Sequence, residues 1–212
     1  MLYTALLSVV LAAGTPADGC SEPSRVAWDV AALHEVVAED ASLSLADIQE
    51  AARQRGMSAP HPVLSFYVGG LAYDTVVHAD KRISPDASTC GTLTTVTVRL
   101  ALSHRLIDVA RDLQQDPCAY EAALQHHRKH ATADDALLSF YVTRLRRELA
   151  DIWPKVEGMA DQAGKADDRG ILAAIEPMVE RSLNYEQDRK KASAAVDSRK
   201  EAERLATACS HL

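Results

Sequence analysis

At 212 residues, with 47% hydrophobic and 25% charged side chains, the chain has an ordinary globular composition and can bury a core without disulfide support. A formal charge of -7 argues against nucleic acid as a partner, because phosphate binding needs clustered Lys and Arg. Beyond the first fourteen residues no apolar run approaches the ~20 residues needed to cross a bilayer, so no later transmembrane helix is expected.

Residues 1–14 carry no charge and centre on an apolar run at 5–13, with small residues at Ala12 and Gly14. This matches the hydrophobic part and cleavage region of a secretory signal peptide, although the basic leading segment is missing. The other reading is a buried first helix. A signal peptide and leader are expected over residues 1–19, followed by one domain over 20–212, exported to the periplasm or beyond. Cys20 follows Gly19 as a lipid-anchored cysteine would. Ala17 and Asp18, however, stand where a lipoprotein signal takes an aliphatic and a small neutral residue.

Four cysteines follow, Cys20, Cys90, Cys118 and Cys209. An even number in an exported chain reads as two disulfides, for which sequence allows three connectivities. Cys90–Cys118 is favoured because the segment between them reads as a hairpin, which leaves Cys20–Cys209. Four reduced, buried thiols would require the chain not to be exported.

Residues 15–25 are rich in Pro, Gly, Ser and acidic groups and read as a leader or linker. Ser44 with Asp47 forms a capping-box-like helix start, Ile48, Ala51 and Ala52 supply its apolar face, and Gly56 ends it. A turn with Pro60 and Pro62 follows. Residues 64–78, rich in Val, Tyr, Phe and Thr, predict two short strands or one strand with a bulge at Gly69-Gly70. A loop is expected over 80–91. Alternation then predicts a half-buried strand over 92–100, which turns near Ser103-His104 into a second strand over 105–110. Together these form an antiparallel hairpin that closes before Cys118.

Pro117 suits the first turn of a long helix running to Trp153, where Pro154 breaks or kinks it. Residues 158–170 read as a loop or frayed end. Helix resumes at Ile171, with Pro177 interrupting it. Residues 184–198 are dominated by charge and alanine. Ser198 with Glu201 predicts a further capping box before a last helix ending near Cys209. The expected fold class is therefore α+β: a small antiparallel sheet packed on a long helix, with a helical C-terminal part.

The chemistry concentrates in His126-His127-Arg128-Lys129-His130 on the long helix. Histidines four residues apart share one helix face, the spacing by which HExxH helices hold a tetrahedral metal at about 2.0–2.1 Å per nitrogen. In that motif a glutamate at the second position takes a proton from metal-bound water. Here that position is His127, a longer and differently aimed side chain, which is not expected to serve as the base.

The helix's apolar stripe, Leu138, Val142, Leu145, Leu149 and Ile152, extends backwards through Asp134, His130 or Ala131, His127 and Ala123. Polar groups on a buried stripe need partners, since each unsatisfied one costs about 1–3 kcal/mol. His126, His130 and Asp134 span about 12 Å along the axis, so a third ligand from another element is expected, with Glu176 and Glu180 as candidates. The competing reading is a solvated basic patch.

Several stretches together resemble a family of secreted bacterial proteins described as predicted zinc-dependent proteases of unknown function. These are Cys90, the strand through Val96-Thr97-Val98, Ile107-Asp108-Val109-Ala110-Arg111, and Pro117-Cys118-Ala119-Tyr120 leading into Leu124-Gln125-His126. Asp134 and the run Val196-Asp197-Ser198-Arg199-Lys200-Glu201 to Cys209 complete them. The resemblance spans roughly residues 44–209. It implies His126 and His130 as zinc ligands, Asp134 as an adjacent site residue, and a zincin-like domain. The glutamate does not carry over, which implies a metallopeptidase-like protein with weak or no activity. The alternative is a non-catalytic periplasmic binding or envelope-assembly module that meets a protein or peptide through the charged helices at residues 184–206.

Overall fold

The structure, a computed structural model, describes residues 25–57, 62–83, 89–163 and 168–209. The expected signal peptide, leader and Cys20 lie outside these residues. The elements run β1 (Arg25–His34), β2 (Ala38–Asp40), α1 (Leu45–Gln54), β3 (Ser65–Ile83), β4 (Thr89–Val109), a 3-10 turn (Arg111–Gln115), α2 (Pro117–Ala163), α3 (Asp168–Ser182), α4 (Tyr185–Val196) and α5 (Arg199–Ala208). Among the described residues no helix is long and apolar enough to cross a membrane.

The fold is α+β, but the sheet is mixed where an antiparallel one was expected. β3 pairs antiparallel with β4, whereas β1 and β2 both run parallel to it. Every β4 residue paired with β1 or β2 is also paired with β3, so β1 and β2 lie end to end along one edge of β4. The hairpin also differs from expectation. It is formed by two long strands, β3 and β4, rather than by 92–100 with 105–110, and the described residues of the expected loop at 80–91 are strand.

At Ser103-His104 the chain does not turn back. His104 and Arg105 together oppose Gly69, and His104 takes the left-handed conformation with φ 56°. This is a bulge, with histidine among the side chains that tolerate that region best. It bends β4 without ending it. The expected irregularity at Gly69-Gly70 is present as the facing register shift.

α1 begins with the expected capping box: Ser44 Oγ accepts from Asp47 N, and the Asp47 carboxylate accepts from Ser44 N at 3.1 Å. Gly56 follows its end at φ 71°, which glycine adopts freely. At the start of α2, the Asp116 carboxylate caps Ala119 N at 3.0 Å and Pro117 takes the first helical position. Unlike the expectation, α2 continues through Pro154 to Ala163, and Pro177 lies inside α3. Each proline deprives a carbonyl four residues earlier of its donor. Those residues, Ala150 and Ala173, are exposed, so water can take the bond while Trp153, Val156, Met178 and Val179 stay packed.

The main core joins Val30, Val96, Val98, Leu100 and Leu102 of the sheet to Leu138, Tyr141, Leu145 and Leu149 of α2, with Ile171 and Ile175 of α3 closing it. A second cluster, Tyr67, Ile107, Val109, Leu124 and Ala131, seats the first half of α2 on the other end of the sheet. There strand alternation sends Tyr67 towards α2 and Phe66 towards Ile48 and Ala52 of α1. Ser65, two residues before Tyr67, therefore meets α2 beside the histidines.

Candidate metal centre

His126, His127 and His130 project from one face of α2, and one ligand atom from each lies within 4.8 Å of the others. His127 belongs to the buried stripe with Leu124, Ala131, Asp134 and Leu138, while His126 and His130 are half-buried at its border. The His127 Nε2 lies 2.8 Å from Ser65 Oγ at the start of β3. Its Nδ1 is buried with no hydrogen-bond partner. A lone pair left unpaired costs less than an unpaired N–H, so Nε2–H donating to Ser65 is the favoured tautomer. Burial, reinforced by the neighbouring His126 and His130, pulls the His127 pKa down to about 3. The ring is neutral at ordinary pH, and its basic nitrogen is shut away from solvent.

The other half of the site comes from the α4–α5 junction. Asp197 caps the end of α4, and Ser198 caps the start of α5 by accepting from Glu201 N. Asp197 Oδ1 lies 3.2 Å from His126 Nε2 and 3.0 Å from His130 Nε2, and the two Nε2 atoms are 3.3 Å apart. Glu201 does not complete the expected capping box. Its carboxylate instead accepts from Lys129 Nζ at 2.7 Å and from Arg204 Nη2 at 2.8 Å. Arg204 first, then Lys129, holds the Glu201 carboxyl well below the usual carboxylate range. Oε1 of the same group stands 3.5 Å from His126 Nδ1. A carboxylate on Nδ1 favours the proton there and leaves the Nε2 lone pair available to a metal, the arrangement that orients ligating imidazoles in metal sites.

His126 Nε2, His130 Nε2 and Asp197 Oδ1 thus form a nearly equilateral triangle. Donors at 2.0–2.1 Å from a tetrahedral ion stand about 3.3–3.4 Å apart, close to all three edges. Two imidazoles and a carboxylate are a donor set that a divalent transition-metal ion can use. Burial lowers the His130 pKa, against the opposing pull of Asp197, and this favours the neutral ring that a metal requires. Three close histidines that could hold a metal ion, with a carboxylate across from two of them, are what the fold assembles here.

Asp134, expected beside the histidines, lies one turn further along α2 and accepts from Arg189 Nε at 3.1 Å. Glu176 and Glu180 do not approach the site. Tyr73, which donates to Glu180 at 3.5 Å and feels the charge of Glu176, lies eight residues along β3 from Ser65, roughly 25 Å. Both favoured cysteine pairings are corrected, because Cys118 is bonded to Cys209. The hairpin expected to return Cys118 to Cys90 is absent because 92–109 runs as one strand paired with β3, and α5 folds back along α2 instead. Cys118 stands eight residues before His126 and Cys209 eight after Glu201, so the bridge staples α5 where its glutamate meets the histidine helix. Such a bond is compatible with an oxidising compartment.

From sequence, Asp197 was expected only within the family-like run, Glu201 also as a capping-box partner of Ser198, and Ser65 had no role. Their usable signal was the Asp-Ser-x-x-Glu pattern at a helix junction, which meets α2 alongside the Cys118–Cys209 bond. Beside the donors lies a cleft of about 780 Å³ walled by one face of α4, with Arg189, Lys190, Ser193 and Asp197 among its residues. No family model, curated protein or solved structure matches this chain, so the site rests on its own geometry.

Proposed function

We propose that this is an exported, zincin-like zinc-binding protein with weak or no peptidase activity. His126, His130 and Asp197 hold the ion, Glu201 orients His126, and the cleft beside them receives a peptide or another small ligand. The observation that carries the reading is the triangle of donor atoms with edges of 3.0–3.3 Å. When bound, zinc would supply a polarised water or a Lewis-acid contact to a ligand carbonyl. Peptidase chemistry would also need a base near that water, and His127 does not fit the role. It sits in the protein interior, donates to Ser65 and resists protonation.

Zinc titration of the tag-free protein tests the reading. One equivalent is expected to bind tightly to the wild type. Loss of at least a hundred-fold in affinity is expected in His126→Ala/His130→Ala, with the helical circular dichroism kept. Zinc binding that survives the double substitution unchanged would sink the proposal.

A further inference from the structure

One cation is held in a fixed pose within the cleft. Arg189 donates from Nε to Asp134, whose side chain is only 3% exposed, while the arginine itself is 24% exposed. Its guanidinium carbon lies 5.6 Å from the ring centre of Tyr67 and 5.9 Å from that of Tyr185. A buried carboxylate on one side and two aromatic rings restrict the swing of this long side chain, so little further ordering is needed to bind a ligand. The terminal guanidinium nitrogens make no hydrogen bond to any described residue. Arg189 lines the same cleft as His126 and His130. Its anchor, Asp134, lies four residues after His130, a separation of ~6 Å along α2.

We propose that the cleft takes a carboxylate-bearing ligand, seated on the terminal nitrogens of Arg189 one helical turn from the metal donors. This deepens the zinc-binding reading and rests on it. The planar guanidinium matches a carboxylate with two parallel N–H···O bonds, which an ammonium cannot do. Asp134 already balances one unit of positive charge, and the exposed Glu186 shares the cleft with Lys190. At the Arg189 end the remaining charge therefore suits a singly charged carboxylate group better than a doubly charged phosphate group. A ligand with a second oxygen group about one turn away can reach the ion as well, so the cleft selects for length as well as charge.

Calorimetric titration of the zinc-loaded protein with glutarate and with butyrate tests this, because only glutarate can occupy both ends. Glutarate is expected to bind at least ten-fold tighter. Arg189→Gln alone would strand a buried carboxylate, so the decisive variant is Asp134→Asn/Arg189→Gln, which removes both charges together. It is expected to bring glutarate to the butyrate level while zinc content is unchanged, and Arg189→Lys is expected to weaken glutarate several-fold. A wild type that binds the two acids equally, a double variant that keeps the preference, or tighter binding of inorganic phosphate than of glutarate would each overturn the assignment. Repeating the titration on metal-free protein separates the two readings. Glutarate binding that depends on Arg189 without zinc, in a protein that takes up no zinc, would retain the carboxylate seat and remove the metal site. Absence of any Arg189 dependence in both samples would remove the seat.

Discussion

His127 is a histidine whose protonation the fold resists, and this has a measurable consequence for acid stability. Its folded pKa of about 3 lies below the ordinary value of 6.5. Between those two values the unfolded chain binds a proton that the folded chain does not, so stability is fully present above pH 6.5 and falls as the pH drops towards 3. One such proton gives a slope of up to about 1.4 kcal/mol per pH unit. His127→Gln can still donate to Ser65 but does not titrate. Urea melts of metal-free protein from pH 7 to 4 should show a shallower decline for the variant by roughly that slope. Identical pH slopes would show that His127 is not the group being held neutral. At this scale the site was half legible. The His126/His130 spacing and the buried position of His127 follow from helix periodicity, which is local. Asp197 and Glu201 reach the histidines from more than sixty residues away in sequence, so no spacing rule marks them.

Helices α2 and α5 form the element pair on which the site depends. Among the described side chains, none from α5 or the α4–α5 junction joins the buried apolar clusters, and α5 is tied to α2 by the Cys118–Cys209 bond and the Glu201 contacts. Substituting both cysteines by serine is expected to cost roughly 2–4 kcal/mol in stability. It should also weaken zinc by about ten- to a hundred-fold, the usual effect of losing outer-layer support. Zinc titration of the oxidised, reduced and Cys118→Ser/Cys209→Ser proteins checks this, and unchanged affinity would show that α5 does not position Asp197 and Glu201. Element ends were legible where capping chemistry is local, as at Ser44, Gly56 and Pro117. Pro154 and Pro177 misled because tertiary packing on one helix face outweighs the loss of one solvent-side bond. β1 escaped notice because Val-Ala-Trp-Asp-Val-Ala-Ala-Leu is alanine-rich and does not alternate cleanly, and its partner in register is β4, some seventy residues on.

For the whole molecule, a mixed sheet supports one 47-residue helix whose two halves do different work. The half from Leu138 onward builds the main core with α3, and the half before it carries the histidines over the end of β3. The charged C-terminal helices bring one face of α4 to the cleft and pin α5 to α2, placing the second set of donors opposite the first. The α+β class and the long helix could be read from pattern. The parallel strands and the return of α5 could not, because both depend on long-range pairing. X-ray absorption spectroscopy of the protein loaded with one equivalent of zinc tests the central claim most directly. The account predicts four-coordinate zinc with two imidazole nitrogens and carboxylate oxygen at about 2.0–2.1 Å, with the imidazole signal lost in His126→Ala/His130→Ala. A six-coordinate, all-oxygen shell, or an imidazole signal unchanged by that substitution, would contradict it.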